Sequence, residues 1–415
     1  MDKVTEIIGS LPSMKTGKEL ISSLAVLPEY DVNITAANDA IRLMALSDIY
    51  RIYVPSQMSQ EIYSKLYLAL VRSLQKKVTK IAVQQQTENY KAIRQQEYTG
   101  IMGGSDSFTI IGASGIGKSS AISRALNLIT EDKVIELEEP YTKIIPCVVV
   151  QCPYDSSVKG LLLEILRKVD ECLEGKYYQN ALRARATTDM LIGSVSQVAL
   201  NHIGLLVVDE IQNVVNSKNG KSLVGALTQL INNSGISIAM IGTPESSRFF
   251  EQAFQLARRS LGLQYGTMEY NSEFVALCKI LFTYQYVRNR TEITEAIVEW
   301  LYEHSAGVVS VVVSIIHDAQ EIAILNGREM LDLISLNEAY QKRLSLLHGF
   351  IQPTIKKRSQ TSNLQKRKYS YDDENTDTKI CEEIKISDLV VTAKNENMEI
   401  VGLLKEYFTV DEVAV

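Results

Sequence analysis

Short apolar segments alternate along the chain with longer amphipathic segments. The apolar segments are rich in β-branched residues, which is typical of buried strands, and the segments between them carry apolar residues at helical spacing. Strands that alternate with helices predict an α/β fold, here with a five-stranded parallel sheet. The predicted strands are 108–111, 144–152, 205–208, 236–241 and about 264–270, and the helices between them are 120–129, 157–171, 181–200, 221–232 and 246–256.

The pattern changes on both sides of this region. Residues 59–77 predict an amphipathic helix, and from residue 271 onward the pattern is helical only, which predicts a small helical lid. Its predicted helices are 273–282, 291–304, 308–325 and 336–346. From residue 353 the chain becomes polar, first basic and then acidic, as flexible linkers are. Residues 396–415 regain apolar side chains, which suits a tail that binds a partner or folds back onto its own core.

A glycine-rich stretch follows the first core strand. Residues 112–119, GASGIGKS, match the pattern G-x-x-x-x-G-K-[ST] between a predicted strand and a predicted helix. Glycines let backbone N–H groups curl around phosphates, and the helix N-terminus adds positive charge. We expect Lys118 to reach the β- and γ-phosphates of ATP, and the Ser119 hydroxyl to bind Mg²⁺. The residues expected to bind the nucleotide are Gly112, Ala113, Ser114, Gly115, Ile116, Gly117, Lys118, Ser119 and Ser120.

Polar side chains follow two further strands at their carboxyl ends, where ligands of parallel sheets bind. Asp209 and Glu210 come directly after 205–208. We expect Asp209 to hold Mg²⁺, directly or through water, and Glu210 to orient and polarise the attacking water. Thr243 follows 236–241 and is expected to contact the γ-phosphate or that water; a simple turn before a proline is the alternative.

A basic pair, Arg258 and Arg259, precedes the last predicted strand. In ring-forming ATPases this is where one subunit offers an arginine to the γ-phosphate of its neighbour, and such arginines accelerate hydrolysis by roughly 10³ to 10⁵ in GTPases. A solvated helix end explains the pair equally simply. Sequence alone does not choose between the two arginines.

Composition narrows the class of protein. The 415 residues carry a net charge of −6, so contact with nucleic acid requires a local basic patch. The five cysteines form no C-x-x-C pair and the four histidines show no metal-ligand spacing, as expected of reduced thiols in a cytoplasmic protein. No apolar run reaches about 18 residues, which argues against a membrane span. Candidates for DNA contact, or for ordinary surface charge, are Lys159, Arg183, Arg185, Lys218 and Lys221.

Together these motifs and the lid have the arrangement of AAA+ ATPases, and over roughly residues 45–345 the chain resembles the TnsC/TniB ATPases, regulators of bacterial DNA transposition. The resemblance lies in IGASGIGKSS, LLVVDEIQN, NNSGISIAMIGTPES, LARR, SAGVVSVVVSIIHDAQEIAILNGRE and the upstream YRIYVPSQMSQEIYSKLYLALVRSL. The length and tail are closer to TnsC of CRISPR-associated or site-targeted elements. One departure concerns Gly307, which Val308, Val309 and Ser310 follow, where such lids often carry a sensor arginine.

The resemblance implies a function. Such proteins bind ATP with Mg²⁺, form homo-oligomeric rings or helical filaments around double-stranded DNA, and link a target-selection protein to the transposase. The selector is a TniQ-like protein or a site-specific DNA binder, and hydrolysis lets the assembly turn over. On this chain Arg258 or Arg259 would act in trans. A nucleotide-gated signalling or defence switch that acts through protein partners is the alternative.

The expected domains follow from the composition shifts and from the resemblance. They are an N-terminal docking segment 1–58, an AAA+ nucleotide-binding core 59–270, a helical lid 271–350, a flexible linker 351–395 and a partner-binding tail 396–415.

Overall fold

The computed structural model describes residues 8–78, 107–131, 134–138, 141–214, 220–247 and 262–344. Every described residue falls within one unit of the chain, residues 1–355. The predicted linker and tail, 351–395 and 396–415, therefore lie outside the described residues, and most of the predicted helix 246–256 does so too.

Three helices precede the sheet: α1 (Gly17–Leu24), α2 (Asp39–Ala45) and α3 (Gln57–Val78). The core then runs β1 (Phe108–Gly112), α4 (Lys118–Thr130), β2 (Ile135–Glu138), β3 (Tyr141–Gln151), α5 (Val158–Leu173), α6 (Tyr177–Arg183), α7 (Thr188–His202), β4 (Ile203–Asp209), α8 (Gly220–Ser234), β5 (Ser237–Gly242) and β6 (Leu263–Tyr265). The lid contains α9 (Ser272–Thr283), α10 (Glu295–Ser305), α11 (Val309–Leu325) and α12 (Leu333–Arg343). Short 3₁₀ helices span Val32–Ala36, Leu46–Arg51, Ile211–Val214 and Pro244–Ser246.

The sheet has the order β2-β3-β4-β5-β1-β6. The predicted α/β fold is confirmed, because five of these strands pair in parallel. The structure adds a sixth strand that the sequence prediction missed, since β2 pairs antiparallel with β3 at the edge. Its four residues are too few to show a clear alternation of apolar and polar side chains. The last strand ends at Tyr265 and not near residue 270, because it pairs only with β1, from Ile110 to Gly112.

Both faces of the sheet are covered. Helices α5, α7 and α8 bury one apolar face that includes Val148, Leu206 and Met240. Helices α1, α3 and α4 bury the other face, where Leu205 and Val207 pack. Strands buried on both sides read as continuous apolar runs, which is why β4 and β5 stand out in the sequence.

One predicted helix, 181–200, is wrong: it is two helices, α6 and α7. The break falls at Arg185, whose φ is 50°, a left-handed conformation that ends a helix. Thr187 then starts α7, with its side-chain hydroxyl accepting from Met190 N at 3.4 Å. Residues 183–188, RARATT, contain no glycine or proline that would mark a break, so pattern alone did not reveal it.

The segment before α3 packs onto the lid. Leu46 and Ile49 are part of the apolar core that the lid helices form. Arg42 on α2 has no exposed surface and donates from both terminal nitrogens to the Glu329 carboxylate, at 2.6 Å each. It also donates to Asp39 at 2.6 Å and to the Tyr286 carbonyl at 3.0 Å. This set, Arg42 with Glu329 and Asp39, is called the arginine clasp below.

No single helix within the described ranges is long and apolar enough to cross a membrane. Helices α10 and α11 reach that length and composition only as a pair, and the chain bends by 120° between them.

Candidate active site

The loop from Gly112 to Ser119 joins β1 to α4. The backbone geometry of this loop requires glycine at three positions. Gly115 and Gly117 have φ of 79° and 95°, which L side chains rarely adopt. A Cβ on Gly112 would lie 2.9 Å from the Tyr265 carbonyl oxygen and 2.7 Å from Ile116 Cδ1. The loop therefore keeps its backbone open, and Gly117 places the N-terminus of α4 at the site.

Lys118 is almost fully buried and points its ammonium group back over the loop. Its Nζ donates to the carbonyl oxygens of Gly112 at 2.7 Å and Ala113 at 2.8 Å. Burial lowers the pKa of Lys118, and the nearby charges of Asp209 and Glu210 oppose that shift. A cation held in this way, beside a helix N-terminus, suits the charge of a polyphosphate.

The side chain of Ser119 lies next to Asp209, the last residue of β4. Its Oγ donates to Asp209 Oδ2 at 3.4 Å, while Asp209 Oδ1 accepts from the backbone N–H of Glu210 at 2.8 Å. A hydroxyl and a carboxylate at one point are the oxygen donors that Mg²⁺ prefers. The residues present therefore fit the ion that their sequence positions predict.

Glu210 sits in a strained conformation, with φ of 58°. For a non-glycine residue this costs about 1–3 kcal/mol, and such strain is concentrated at functional sites. Gln212 holds the carboxylate by donating from Nε2 to Glu210 Oε2. Sequence reasoning missed Gln212, and its only signal was a polar residue two places after the glutamate.

Two side-chain oxygens beside Glu210 are buried without a hydrogen-bond partner in the part of the chain that the structure describes. They are Thr243 Oγ1 and Gln212 Oε1. Leaving a buried polar atom unpaired costs about 1–3 kcal/mol, so such atoms call for a partner from outside the chain. Both residues line the same cavity as Lys118. A water molecule can donate to Gln212 Oε1, and Thr243 Oγ1 can donate to a phosphate oxygen or to a water.

That cavity has a volume of about 450 Å³, within the usual range for small-molecule sites. The phosphate loop and the carboxyl ends of β4 and β5 form one end. The other end is more apolar, and sequence reasoning did not identify it. Three separate parts of the chain form it: residues 50–59, Met268 with Leu277, and the start of α11.

The lid touches the phosphate loop directly. Ser310 donates its backbone N–H to the Gly115 carbonyl at 3.0 Å, and a Cβ on Gly115 would collide with Ser310 Oγ. Gly307, with φ of 73°, lies against Met268, whose N–H donates to the Gly307 carbonyl at 3.0 Å. None of the described residues that line the cavity is an arginine. At this point of contact the lid presents Ser310 to the phosphate loop.

The remaining predicted site residues are spread more widely. Lys159 is exposed in the first turn of α5, and Arg183 and Arg185 are exposed at the end of α6 and just after it. None of these three cations has an ion-pair partner among the described residues. Lys218, the side chain of Lys221, Arg258 and Arg259 lie outside the described part of the chain. Their predicted roles stay predictions.

The fold is an α/β fold with a mostly parallel sheet and a helical lid, and its site carries the sequence pattern of a P-loop. Residues 82–262 match the family model of the bacterial TniB protein, so the resemblance to the TnsC/TniB ATPases is confirmed over that region. The chain matches no curated protein.

Several solved structures are similar. ORC1 of Aeropyrum pernix, in complex with DNA, is 15% identical over 61% of this chain and 64% of its own, with a TM-score of 0.39. ORC2 of the same organism, in ADPNP–ADP complexes, is 15% identical over 64% and 68%, with a TM-score of 0.41. CDC6P of Pyrobaculum aerophilum is 10% identical over 62% and 66%, with a TM-score of 0.39. The chain thus spans a little under two thirds of the ORC1 chain.

Proposed function

We propose that this protein is an ATP-dependent regulator of DNA transposition. It oligomerises on double-stranded target DNA with ATP bound, and it links a target-selection protein to the transposase. Hydrolysis of ATP to ADP and phosphate drives turnover of the assembly. The observation that carries the proposal is the TniB match over a region that contains Lys118, Asp209 and Glu210 in one cavity.

The polar residues at the phosphate end of the cavity each have a part in hydrolysis. The loop amides and Lys118 bind the phosphates, while Ser119 and Asp209 hold Mg²⁺. The bound ion neutralises the charge that develops on the phosphate oxygens. Glu210 accepts a proton from the attacking water, Gln212 holds its carboxylate in place, and Thr243 contacts the γ-phosphate or that water.

A neighbouring subunit completes the site. Arg258 or Arg259 reaches the γ-phosphate of the adjacent protomer, so hydrolysis depends on assembly. This role rests on the position of the two arginines between Thr243 and the last strand.

DNA binding uses exposed cations against phosphates. Lys159, Arg183 and Arg185 are the described candidates, and the lack of an ion-pair partner among described residues leaves their charge available for phosphate. Lys218 and Lys221 are weaker candidates. A clamp of this kind reads no base sequence and loses affinity steeply as salt rises.

Partners attach to the segments that flank the core and the lid. The tail 396–415, on its linker 351–395, is proposed to bind the transposase machinery, because a short apolar segment on a polar tether reaches far. The N-terminal segment 1–58 is the candidate docking site for the target selector, a TniQ-like protein or a site-specific DNA binder.

Electron microscopy tests the assembly. The full-length protein is imaged with linear duplex DNA and a non-hydrolysable ATP analogue with Mg²⁺, beside samples that lack one component and beside Lys118→Ala. Rings or filaments that need both DNA and nucleotide, and that Lys118→Ala does not form, support the proposal. Monomers, or oligomers indifferent to DNA, contradict it. Assembly that only a protein partner triggers favours the signalling switch.

The DNA contacts have a matched pair of lysines on one helix. Lys159 lies in the first turn of α5 without a described ion-pair partner, whereas Lys168 on the same helix pairs with Glu171 at 3.1 Å. If Lys159 contacts phosphate, Lys159→Ala weakens the salt dependence of DNA binding. The magnitude of the slope of log affinity against log salt concentration then decreases by about one per subunit bound. Lys168→Ala leaves that slope unchanged. Equal slopes for both variants would remove Lys159 from the interface.

A further inference from the structure

Asn213 lies at the junction between the ATP site and the loop that follows β3. Its backbone N–H donates to the Glu210 carbonyl at 3.1 Å, which closes a tight turn over residues 210–213. Gln212 of this turn lines the cavity, whereas Asn213 does not. The side chains of these two consecutive residues thus lie in different surroundings, although both belong to the same turn.

The side chain and carbonyl of Asn213 hold the loop after β3. Asn213 Nδ2 donates to the Cys152 carbonyl at 2.9 Å, and Ser156 Oγ donates to the Asn213 carbonyl at 2.9 Å. The Cys152 N–H also donates to the Asp209 carbonyl at 2.8 Å. Three hydrogen bonds therefore join residues 152–156 to residues 209–213.

The loop depends on this contact for its shape. Ser156 has no exposed surface and a φ of 53°, so its left-handed conformation is kept by what surrounds it. Farther along, Asp155 Oδ1 accepts from Ser157 N at 3.0 Å, and Ser157 Oγ accepts from Gly160 N at 3.1 Å to cap α5. A shift of Asn213 would be passed to the start of α5.

What the loop presents to solvent suits a nucleic-acid backbone. Tyr154 at its tip is 92% exposed, the highest exposure of any large apolar or aromatic side chain described. Lys159 is exposed one turn later. A tyrosine hydroxyl and a lysine are common donors to DNA phosphates.

We propose that Asn213 is a positioning residue that couples the state of the ATP site to DNA contact by Tyr154 and Lys159. When Glu210 and its turn respond to nucleotide, Asn213 moves the loop; when DNA engages the loop, Asn213 moves the turn. The inference rests on the proposed function. Coupling of binding between two sites is reciprocal, so both directions change together when the link is cut.

The test measures both directions in the full-length protein. DNA affinity is measured with and without a non-hydrolysable ATP analogue, and the affinity for that analogue is measured with and without saturating linear duplex DNA. ATP turnover is followed under the same two DNA conditions. The variants are Asn213→Ala, which cuts the link at the turn, and Ser156→Ala, which cuts it from the loop side. Asn326→Ala is the matched control, because its Nδ2 bonds Glu338 within the lid, at 3.1 Å.

Asn213→Ala is expected to keep basal turnover and to lose most of the DNA effect. Coupling free energies typically correspond to about 5- to 150-fold, so the nucleotide dependence of DNA affinity and the DNA dependence of analogue affinity should fall by a common factor in that range. The DNA effect on turnover should fall as well, by a factor that need not be the same. Ser156→Ala is expected to lose part of the same factor, and Asn326→Ala to lose none. A purely structural role would lower stability without changing these ratios.

The outcomes separate the two proposals. If both link variants keep wild-type ratios, the coupling role is wrong and the proposed function stands. If the wild-type protein binds no DNA in either nucleotide state, the proposed function fails and the coupling role fails with it. Should Asn213→Ala not fold, the ratio for Ser156→Ala decides, because that change leaves residues 209–213 intact.

Discussion

The two ends of the nucleotide cavity are built in different ways. At the phosphate end, Gly112 to Ser119 are consecutive residues whose conformation follows from β1, three glycines and the start of α4. At the other end, the wall combines residues 50–59 with lid residues that follow more than 200 positions later, such as Leu277 and Val309.

The structure of the phosphate end is specified by residues close together in sequence, whereas the structure of the opposite wall depends on contacts between distant segments. A short sequence can specify the phosphate end because the strand, the turn and the helix are neighbours along the chain. The opposite wall exists only when the segment before α3 has packed onto the lid, through Leu46, Ile49 and the arginine clasp. Changes at the first end should therefore alter chemistry, and changes at the second should alter stability.

The largest expected effect is on chemistry, from Glu210→Gln. Removing a general base typically costs about 10² to 10⁴ in turnover, and the phosphate-binding Lys118 and Ser119 remain. We expect ATP binding to be retained while steady-state hydrolysis falls by that factor. Glu245→Gln is the control, because Glu245 is exposed just beyond β5 and does not line the cavity. Normal hydrolysis by Glu210→Gln would refute the catalytic assignment.

The next effect is on stability, from Arg42→Ala. Removing one partner of a buried ion pair costs about 3–5 kcal/mol of unfolding free energy, because the other charge is left uncompensated. Urea unfolding measures this loss. The control is Arg51→Ala, since Arg51 is 70% exposed in its pair with Asp48 and such pairs contribute about 0–1 kcal/mol. Similar losses for the two variants would show that the clasp does not secure the wall.

Gly115→Ala tests the point where the two ends meet. An alanine there is strained by the left-handed φ, by roughly 1–2 kcal/mol, and its Cβ collides with Ser310 Oγ. We expect ATP affinity to fall about tenfold, since 1.4 kcal/mol is one factor of ten. Gly193→Ala in α7 is the matched control, because its added Cβ meets nothing within 4 Å. Unchanged affinity in Gly115→Ala would mean that the loop tolerates separation from the lid.

The smallest effect is a pH dependence of the clasp. Hydrogen bonds from Arg42 hold the pKa of Glu329 below its usual range, so its contribution to stability is present above the unfolded pKa of about 4.3 and is lost below it. We expect the stability advantage of wild type over Glu329→Gln to shrink as pH falls from 5 toward 3. Unfolding curves at several pH values measure that difference, and a constant difference would contradict the role of the ionised carboxylate.

Sequence patterns predicted the parts of this fold that repeat or that follow a motif. Four of the five parallel strands were predicted because each contains a continuous apolar run, whereas the fifth, β6, has only three residues, LQY, and its predicted end was too far along the chain. Ser119 and Asp209 lie together because both follow apolar runs of strands that end at the same sheet edge. The short β2 and the break at Arg185 were missed because a few residues carry little periodic signal.

The apolar wall of the cavity was not predicted from the sequence, for a different reason. Tyr53 and Met58 line the cavity, yet nothing in their own neighbourhood marks them as ligand-binding residues. Their place depends on packing between segments far apart in sequence. Gln212 was missed because its role depends on the strained turn at Glu210, which pattern does not reveal.

The arginine clasp also has a consequence for synthesis of the chain. Glu329 follows Arg42 by 287 residues. At about 5–20 residues per second, a ribosome needs roughly 15 to 60 s to make that stretch. Throughout this time the guanidinium group of Arg42 and the apolar side chains around it have no lid to bury them. The region around Arg42 thus emerges long before the lid that buries it, and during that time it is open to aggregation or to capture by a chaperone.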